Sequence, residues 1–259
     1  MGRSTGAFAV VLILITACGA PASRQAKTPA TGQRPAGTAY VGTTTTVPGS
    51  TTTTLDRPAA GTYWVATPAS NPVSYSATPG GDPVGTLPST TWGGPTVRPV
   101  ISETDKWVQI GLDSRPNGST AWVPRDAMTI EVTGYRIEVS ISQRSLTLYQ
   151  NGSAVYSSPV GVGMPESPTP EGRTFVDALV ATPDFQQYIY GPTVLVLGSH
   201  SNVFTEFDGG DGTVAIHGYP SDPGSTKGVA SSHGCVRASP ETIKAISVVP
   251  LGSPVDVVA

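Results

Sequence analysis

The chain has 259 residues, of which 13% are charged and 38% are hydrophobic, and its formal net charge is -3. This length allows two small domains, and the lack of a basic cluster argues against nucleic acid as a partner, because phosphate binding depends on clustered Lys and Arg. The 30 glycines and 25 prolines favour turns, short strands and linkers over helices, so we expect a mainly β protein.

Residues 1–18 resemble the signal peptide of a bacterial lipoprotein. Arg3 supplies a positive start, and the apolar run 7–15 is too short to span a bilayer as a mature helix. The run Ile15-Thr16-Ala17-Cys18 resembles a lipobox, which is cleaved just before a cysteine that receives a lipid. We therefore expect an exported protein that a lipidated Cys18 anchors to the outer face of a membrane. The alternative is a plain signal peptide with an incidental cysteine.

Residues 19–60 are rich in Thr, Pro, Ala, Gly and Ser and include two runs of four threonines, at 43–46 and 51–54. Large apolar side chains are almost absent, so this segment cannot form a core, and it is predicted to be a disordered tether. A coil of about 40 residues has a root-mean-square span of roughly 35 Å. Such a tether would lift the folded part of the chain away from the membrane.

Residues 61–132 contain short apolar runs separated by turn clusters, which predicts a small β-barrel. The runs around Trp107 and Trp122, with Arg115-Pro116-Asn117-Gly118-Ser119 between them, resemble bacterial SH3-like domains. That resemblance implies binding of glycan or peptide. The alternative, which large apolar side chains favour, is that the tryptophans are core residues of a spacer domain.

The pattern changes after Gly134. Residues 135–142 alternate between apolar and polar side chains, which predicts a half-buried strand, and Asn151-Gly152 suits the tight turn of a hairpin between the next two strands. One helix is predicted after Ser239, which can cap it, with Pro240 at its first position. Further strands are predicted at 174–180, 194–197, 214–216 and 255–258.

Cys235 is the candidate nucleophile. With Cys18 lipidated it would be a lone exported thiol, and a Cys18–Cys235 disulfide is the alternative. A thiol with a pKa of about 8.5 becomes a useful nucleophile at neutral pH only beside a base such as imidazole. His217 follows a predicted strand that can hold its ring, and His233 shares a short loop with Cys235. Gly234 has no Cβ, so a substrate carbonyl can approach and accept hydrogen bonds from the N–H groups of Gly234 and Cys235.

His217, followed by the run Ser232-His233-Gly234-Cys235-Val236-Arg237, resembles the signature of the L,D-transpeptidase catalytic domain family. Gly161-Val162-Gly163 and the run 169–175 resemble a second motif of that family, in the same order. The resemblance covers residues 134–259. It implies a β-sandwich-like catalytic domain with a short C-terminal helix, behind an SH3-like or other spacer domain.

The resemblance also implies a reaction. Cys235 would attack the peptide bond after the third residue of a peptidoglycan stem tetrapeptide, release D-alanine and pass the acyl group to an amine of a neighbouring stem, giving a 3-3 cross-link. His217 would be the general acid/base, oriented by the backbone carbonyl of Gly218, and His233 would support the oxyanion or the substrate. No cofactor is implied, and carbapenem β-lactams would be covalent inhibitors.

Several further residues are candidates for substrate contact. Ser232 and Arg237 belong to the signature, and Arg237 would contact a substrate carboxylate or, alternatively, hold the loop together. Tyr190 and Phe207 lie where relatives carry a lid over the site. His200 matches no catalytic position of the family and is expected at the surface or the rim of the pocket.

Rival interpretations share some of these residues. A zinc site is disfavoured because His217, His233 and Cys235 lack the paired spacing of structural zinc ligands, and no acidic fourth ligand is suggested, so we expect no metal. A papain-type protease is disfavoured because its cysteine precedes its histidine. Two alternatives stay open: an L,D-carboxypeptidase, in which water replaces the amine, and a non-catalytic wall-binding lipoprotein whose first domain binds the ligand.

Overall fold

The computed structural model describes residues 59–207 and 209–259. The predicted signal peptide, the lipidation site Cys18 and nearly all of the predicted tether lie outside the described residues. In the part of the chain that is described, no helix is both long enough and apolar enough to cross a membrane.

The first unit is built on a seven-stranded sheet and a separate short hairpin. Its strands are β1 (Tyr63–Pro68), β2 (Val73–Ser76), β3 (Pro83–Leu87), β4 (Thr90–Thr91), β5 (Gly94–Pro95), β6 (Arg98–Glu103), β7 (Trp107–Gly111), β8 (Thr120–Pro124) and β9 (Met128–Thr133). The order in the sheet is β3-β2-β8-β7-β6-β1-β9, and β4 pairs with β5 alone. A mainly β fold is confirmed, whereas the SH3-like nature of this unit stays a prediction.

The core of the first unit contains no tryptophan among the described residues; its buried members include Val108, Ile110 and Val123. Trp107 and Trp122 are half-buried and occupy the alternate positions of β7 and β8, so they lie on the opposite face of the sheet. The prediction that these tryptophans are core residues is therefore wrong. Side chains alternate between the two faces of a strand, and the aliphatic residues take the inner face.

The second unit contains an eight-stranded sheet in the order β12-β11-β10-β19-β14-β15-β16-β18. Its strands are β10 (Tyr135–Ser140), β11 (Ser145–Gln150), β12 (Ser153–Pro159), β13 (Val162–Gly163), β14 (Gly172–Ala181), β15 (Thr193–His200), β16 (Thr213–His217), β17 (Ala230–Ser232), β18 (Val236–Arg237) and β19 (Pro254–Val258). Two α-helices, α1 (Gln187–Tyr190) and α2 (Pro240–Ile246), and single 3-10 turns at Arg125–Ala127, Asp184–Gln186 and Pro223–Thr226 complete the described elements.

Local predictions for the second unit are confirmed. Strands β10, β11 and β12 form an antiparallel meander, and the turn between β11 and β12 uses positive φ angles of 48° at Asn151 and 81° at Gly152. Helix α2 is capped by Ser239, whose hydroxyl accepts a hydrogen bond from the N–H of Thr242 at 3.2 Å. Strands β14, β15, β16 and β19 cover the other four predicted runs.

The two units meet at a buried ion pair. The guanidinium of Arg98, which is 1% exposed, pairs with Asp177 on β14, which is 2% exposed. The second nitrogen of Arg98 lies 3.0 Å from Asp113, and the indole N–H of Trp92 donates to Asp177 at 2.8 Å. Burial raises the pKa of Asp177 and the negative charge of Asp113 adds to that effect, although Arg98 opposes it.

Candidate active site

The site is built on the last strands of the eight-stranded sheet. Strand β18 runs parallel to β16, with Val236 opposite Ile216 and Arg237 opposite His217. Ile216 and Val236 point into the main core, so their neighbours His217 and Cys235 lie on the other face of the sheet. His217 and Cys235, which belong to different strands or their ends, are thereby brought to the same face of the sheet.

His217 is fully buried at the end of β16. Its Nδ1 forms a hydrogen bond with the backbone carbonyl oxygen of Gly218. A carbonyl oxygen only accepts hydrogen bonds, so Nδ1 carries the proton and Nε2 is the basic nitrogen of the neutral ring. Within the described residues, Nε2 has no hydrogen-bond partner. The ring is therefore fixed in the tautomer that a general base requires.

Cys235 is 4% exposed and is not disulfide-bonded among the described residues. Its side chain belongs to a small cluster that includes Ala215 and Tyr190. The Tyr190 ring lies edge-on to the His217 ring, with 5.1 Å between the two ring centroids. The thiol, the imidazole and Tyr190 thus share one nearly dry region, where electrostatic interactions are stronger than in water.

The loop between β17 and β18 is shaped by Ser232 and Gly234. Ser232 is fully buried; its hydroxyl donates to the carbonyl oxygen of Cys235 and accepts the N–H of Gly234 at 3.2 Å. Gly234 has a φ of +126°, which a residue with a Cβ rarely adopts. The N–H of Gly234 is therefore occupied by Ser232 in this structure, and an oxyanion role for it requires that hydrogen bond to be exchanged. Both of these Ser232 hydrogen bonds are made to the backbone of its own loop.

His233 is half-buried under two aromatic side chains. The rings of Phe204 and Phe207 lie 4.9 Å apart, and their centroids are 5.9 Å and 5.1 Å from that of His233. Phe207 is one of the residues that the sequence predicts to contact substrate, whereas Phe204 is not. The pair extends from the chain between β15 and β16 and covers His233, two residues from the thiol.

Arg237 is fully buried. Its guanidinium lies 4.0 Å from the centre of the Tyr219 ring and donates to the hydroxyl of Ser231 at 3.2 Å. Its backbone exchanges two hydrogen bonds with Gly161, at 2.7 Å and 2.9 Å. These contacts favour a structural role for Arg237, that of holding the loop together, whereas its contact with a substrate carboxylate stays a prediction.

The second sequence motif, residues 161–163 and 169–175, contacts the segment that leads to Cys235. Strand β13 pairs in parallel with β17, and the N–H of Met164 donates to the carbonyl of Ser232 at 2.8 Å. The N–H of Gly163 donates to the hydroxyl of Thr169 at 2.9 Å. A Cβ on Gly161 would lie 2.0 Å from the carbonyl oxygen of Ser225. The motif therefore supports the loop that carries Cys235.

The expectation that His200 is a surface or rim residue is wrong. His200 is 5% exposed, and its Nε2 lies 3.1 Å from a carboxylate oxygen of Asp211. Its backbone N–H and C=O both pair with the side-chain amide of Asn117 from the first unit, at 2.8 Å and 2.7 Å. His200 is buried because the first unit covers the end of β15.

Residues 134–257 match the model of the YkuD family, the L,D-transpeptidase catalytic domain. Among solved structures, an L,D-transpeptidase from Mycobacterium smegmatis is 20% identical over 61% of this chain and 80% of its own, with a TM-score of 0.39. L,D-transpeptidase 3 from Mycobacterium tuberculosis, in complex with a faropenem-derived adduct, is 17% identical over 60% and 92%, with a TM-score of 0.39.

A third solved structure, the LD transpeptidase LdtMt1 in complex with imipenem, is 21% identical over 56% of this chain and 76% of its own, with a TM-score of 0.38. No curated protein matches the chain significantly. The family match begins at the residue where the sequence pattern changes, Gly134, and it includes both sequence motifs.

Proposed function

We propose a mechanism for this chain on the premise that residues 134–257 are an L,D-transpeptidase catalytic domain and that the protein is a peptidoglycan L,D-transpeptidase. The Nε2 atom of His217 takes the proton of the Cys235 thiol. The thiolate then attacks the carbonyl carbon of the third residue of a stem tetrapeptide. The C–N bond breaks, D-alanine leaves with a proton returned by His217, and a thioester remains on Cys235.

The second half of the reaction regenerates the thiol. An amine of a neighbouring stem attacks the thioester while His217 accepts its proton. The C–S bond breaks as a 3-3 cross-link forms, and His217 returns the proton to the leaving sulfur. If water takes the place of the amine, the same intermediate gives an L,D-carboxypeptidase. His233, two residues before Cys235 in the same loop, is the candidate for supporting the oxyanion or the substrate.

One observation supports this proposal most directly: the hydrogen bond from Nδ1 of His217 to the carbonyl of Gly218. It leaves Nε2, which has no hydrogen-bond partner among the described residues, on the face of the sheet that carries Cys235. A base whose orienting hydrogen bond fixes its tautomer is the arrangement that activates a weak nucleophile.

The test is incubation with a carbapenem followed by mass spectrometry of the intact protein. The wild type gains the mass of one inhibitor, and Cys235→Ala gains none. A synthetic stem tetrapeptide, with and without an acceptor stem, then separates cross-linked dimer from tripeptide. A wild type that forms no adduct and turns over no tetrapeptide would refute the mechanism, and tripeptide alone in the presence of excess acceptor would favour the carboxypeptidase.

We also propose that the enzyme is an exported lipoprotein that faces the cell wall, with Cys18 as its lipidated N-terminal residue. The lipobox-like run before Cys18 supports this proposal. Labelling cells with a fatty acid analogue tags the wild type, and Cys18→Ala loses both the tag and the membrane association. A mature N-terminus other than a modified Cys18 would contradict it.

A further inference from the structure

One loop of the first unit contacts a segment that lies beside the candidate active site. This loop, residues 112–119, connects β7 to β8 and carries Arg115 and Asn117. It contacts what we call the cover segment, residues 201–207 and 209–212, which follows β15 and leads to β16. The contacts join residues more than 80 positions apart in the chain.

Arg115 holds both ends of the cover segment. Its guanidinium donates to three backbone carbonyl oxygens, those of Ser201 at 2.6 Å, Phe204 at 2.8 Å and Asp211 at 2.6 Å. Arginine offers five N–H donors in a rigid planar fork, so one side chain can tie together three acceptors that lie around it. Ser201 and Asp211 lie at opposite ends of the segment, so the guanidinium of Arg115 joins the two ends. We call Arg115 with its three hydrogen bonds the clasp.

Asn117 fixes the position at which the cover segment leaves the sheet. Its side-chain amide accepts the N–H of His200 at 2.8 Å and donates to the carbonyl of the same residue at 2.7 Å. The amide also donates to the side-chain oxygen of Asn202 at 3.2 Å. These two hydrogen bonds resemble those that a neighbouring strand would make at the end of β15. Asn117, which makes them, belongs to the first unit.

The cover segment has little else to hold it. No residue from it belongs to a hydrophobic core cluster of the described chain, and Asn202, Val203 and Thr205 are exposed. Two contacts at its ends are made within the second unit: the N–H of Ser201 donates to the carbonyl of Gly212 at 2.8 Å, and Asp211 lies 3.1 Å from the His200 ring. Between these ends its hydrogen bonds are short-range, such as those between Phe207 and Gly210 at 2.8 Å and 2.9 Å. Segments with few buried apolar contacts open at low free-energy cost, so the added hydrogen bonds from Arg115 and Asn117 are expected to contribute strongly to keeping this one in place.

The same segment carries Phe204 and Phe207, whose rings cover His233. A displacement of the segment moves these rings and changes the cleft into which a stem peptide must fit. Misplacement of reacting groups by about 1 Å can cost roughly 100-fold in rate. The clasp is therefore linked to the site by one continuous chain of contacts: Arg115, the cover segment, Phe204 and Phe207, and His233.

We propose that Arg115 and Asn117 are positioning residues for acyl transfer, and that the first unit, besides acting as a spacer, fixes the shape of the substrate cleft through the cover segment. This inference rests on the proposed function, because it assigns the substrate-facing role to the cover segment. It requires no contact between Arg115 and the substrate.

The test compares full-length variants with the wild type. Arg115→Ala removes the three hydrogen bonds of the guanidinium. Asn117→Asp removes the two that the amide donates but keeps an acceptor for the N–H of His200. Arg115→Lys keeps the charge but presents its donors from a single nitrogen. The matched control is Arg125→Ala, which breaks a 3.0 Å ion pair with Glu103 inside the first unit. The readouts are kcat and KM for a stem tetrapeptide, the rate of Cys235 alkylation by iodoacetamide, and hydrogen exchange of the cover segment.

We expect kcat/KM to fall about 10- to 100-fold in Arg115→Ala and Asn117→Asp, with partial recovery in Arg115→Lys and less than a twofold change in Arg125→Ala. Exchange of the cover-segment amides becomes faster, and alkylation of Cys235 does not slow, because the thiol and His217 need no cover segment. A general folding defect would instead lower the melting temperature and impair every readout.

Two results would overturn the inference. One is a wild-type kcat/KM, within twofold, in Arg115→Ala. The other is a loss of turnover with no faster exchange in the cover segment. Failure of the proposed function looks different, because the wild type itself would then form no Cys235 adduct and turn over no tetrapeptide.

Discussion

The ion pair between Arg98 and Asp177 gives a quantitative test of how firmly the two units are joined. Asp177→Ala removes the acceptor of both the Arg98 guanidinium and the Trp92 indole. Arg98 is then left buried, with Asp113, whose side chain is 37% exposed, as its remaining ionic partner among the described residues. Breaking a buried pair in this way costs about 3–5 kcal/mol, because the remaining charge is desolvated without full compensation.

For a chain of 150–250 residues, 1 kcal/mol corresponds to about 2–4 °C in melting temperature. Asp177→Ala should therefore lower the melting temperature by about 6–20 °C, as measured by circular dichroism at neutral pH. Glu103→Ala is the control, since its half-buried pair with Arg125 stays within the first unit and such pairs contribute about 1 kcal/mol or less.

A double variant sharpens the test. Replacing Arg98 by Met and Asp177 by Leu removes both charges at once, and apolar replacement of a buried pair is often neutral or stabilising. The double variant should therefore melt above Asp177→Ala. The reasoning fails if Asp177→Ala melts no lower than Glu103→Ala, or if removing both charges costs as much as removing one.

Three further predictions concern the base, the C-terminal strand and the capped helix. His217→Asn should slow carbapenem acylation of Cys235 by about 100-fold or more at neutral pH, with partial recovery near pH 9, where thiols ionise without a base; mass spectrometry follows both. Burial alone would raise the pKa of Asp256, but hydrogen bonds and charges from Arg173 and Arg136 lower it, so its stabilising effect is present above about pH 4 and is lost as pH falls through the lowered value. Asp256→Asn should melt below the wild type at pH 7, and the gap should close on acidification. Ser239→Ala should cost about 1 kcal/mol, measured by urea unfolding.

The features that the sequence predicted well are those set by neighbouring residues. The turn at Asn151-Gly152 depends on two residues that tolerate positive φ, and helix α2 depends on the cap at Ser239. The signature also places Cys235 and His217 at one site, and both lie on the same face of the sheet beside the β16–β18 pair; their roles as nucleophile and base stay predictions. Trp107 is the exception: its size favours a core position, but it alternates with Val108 and shares a face with Gln109, and this alternation decides its outward position.

The features that the sequence did not predict depend on contacts across long stretches of chain. His200 is 5% exposed, and its backbone pairs with Asn117, which lies 83 residues earlier in the chain. Phe204 carries no local signal that distinguishes it from a core aromatic, and its place above His233 follows from a segment held by Arg115. No periodicity or motif encodes such a pairing in a single sequence, because the two partners belong to different units.

The hydrogen bond between Ser232 and Gly234 has a consequence for how the oxyanion is stabilised. A glycine at this position was expected to present its N–H to the substrate, yet that N–H is held by the hydroxyl of Ser232 at 3.2 Å. A neutral hydroxyl is a weaker acceptor than a developing oxyanion, so exchange of this hydrogen bond for one to the oxyanion would be favourable. If Gly234 serves the oxyanion, we expect Ser232 to hold the loop in this shape until the N–H of Gly234 changes partner.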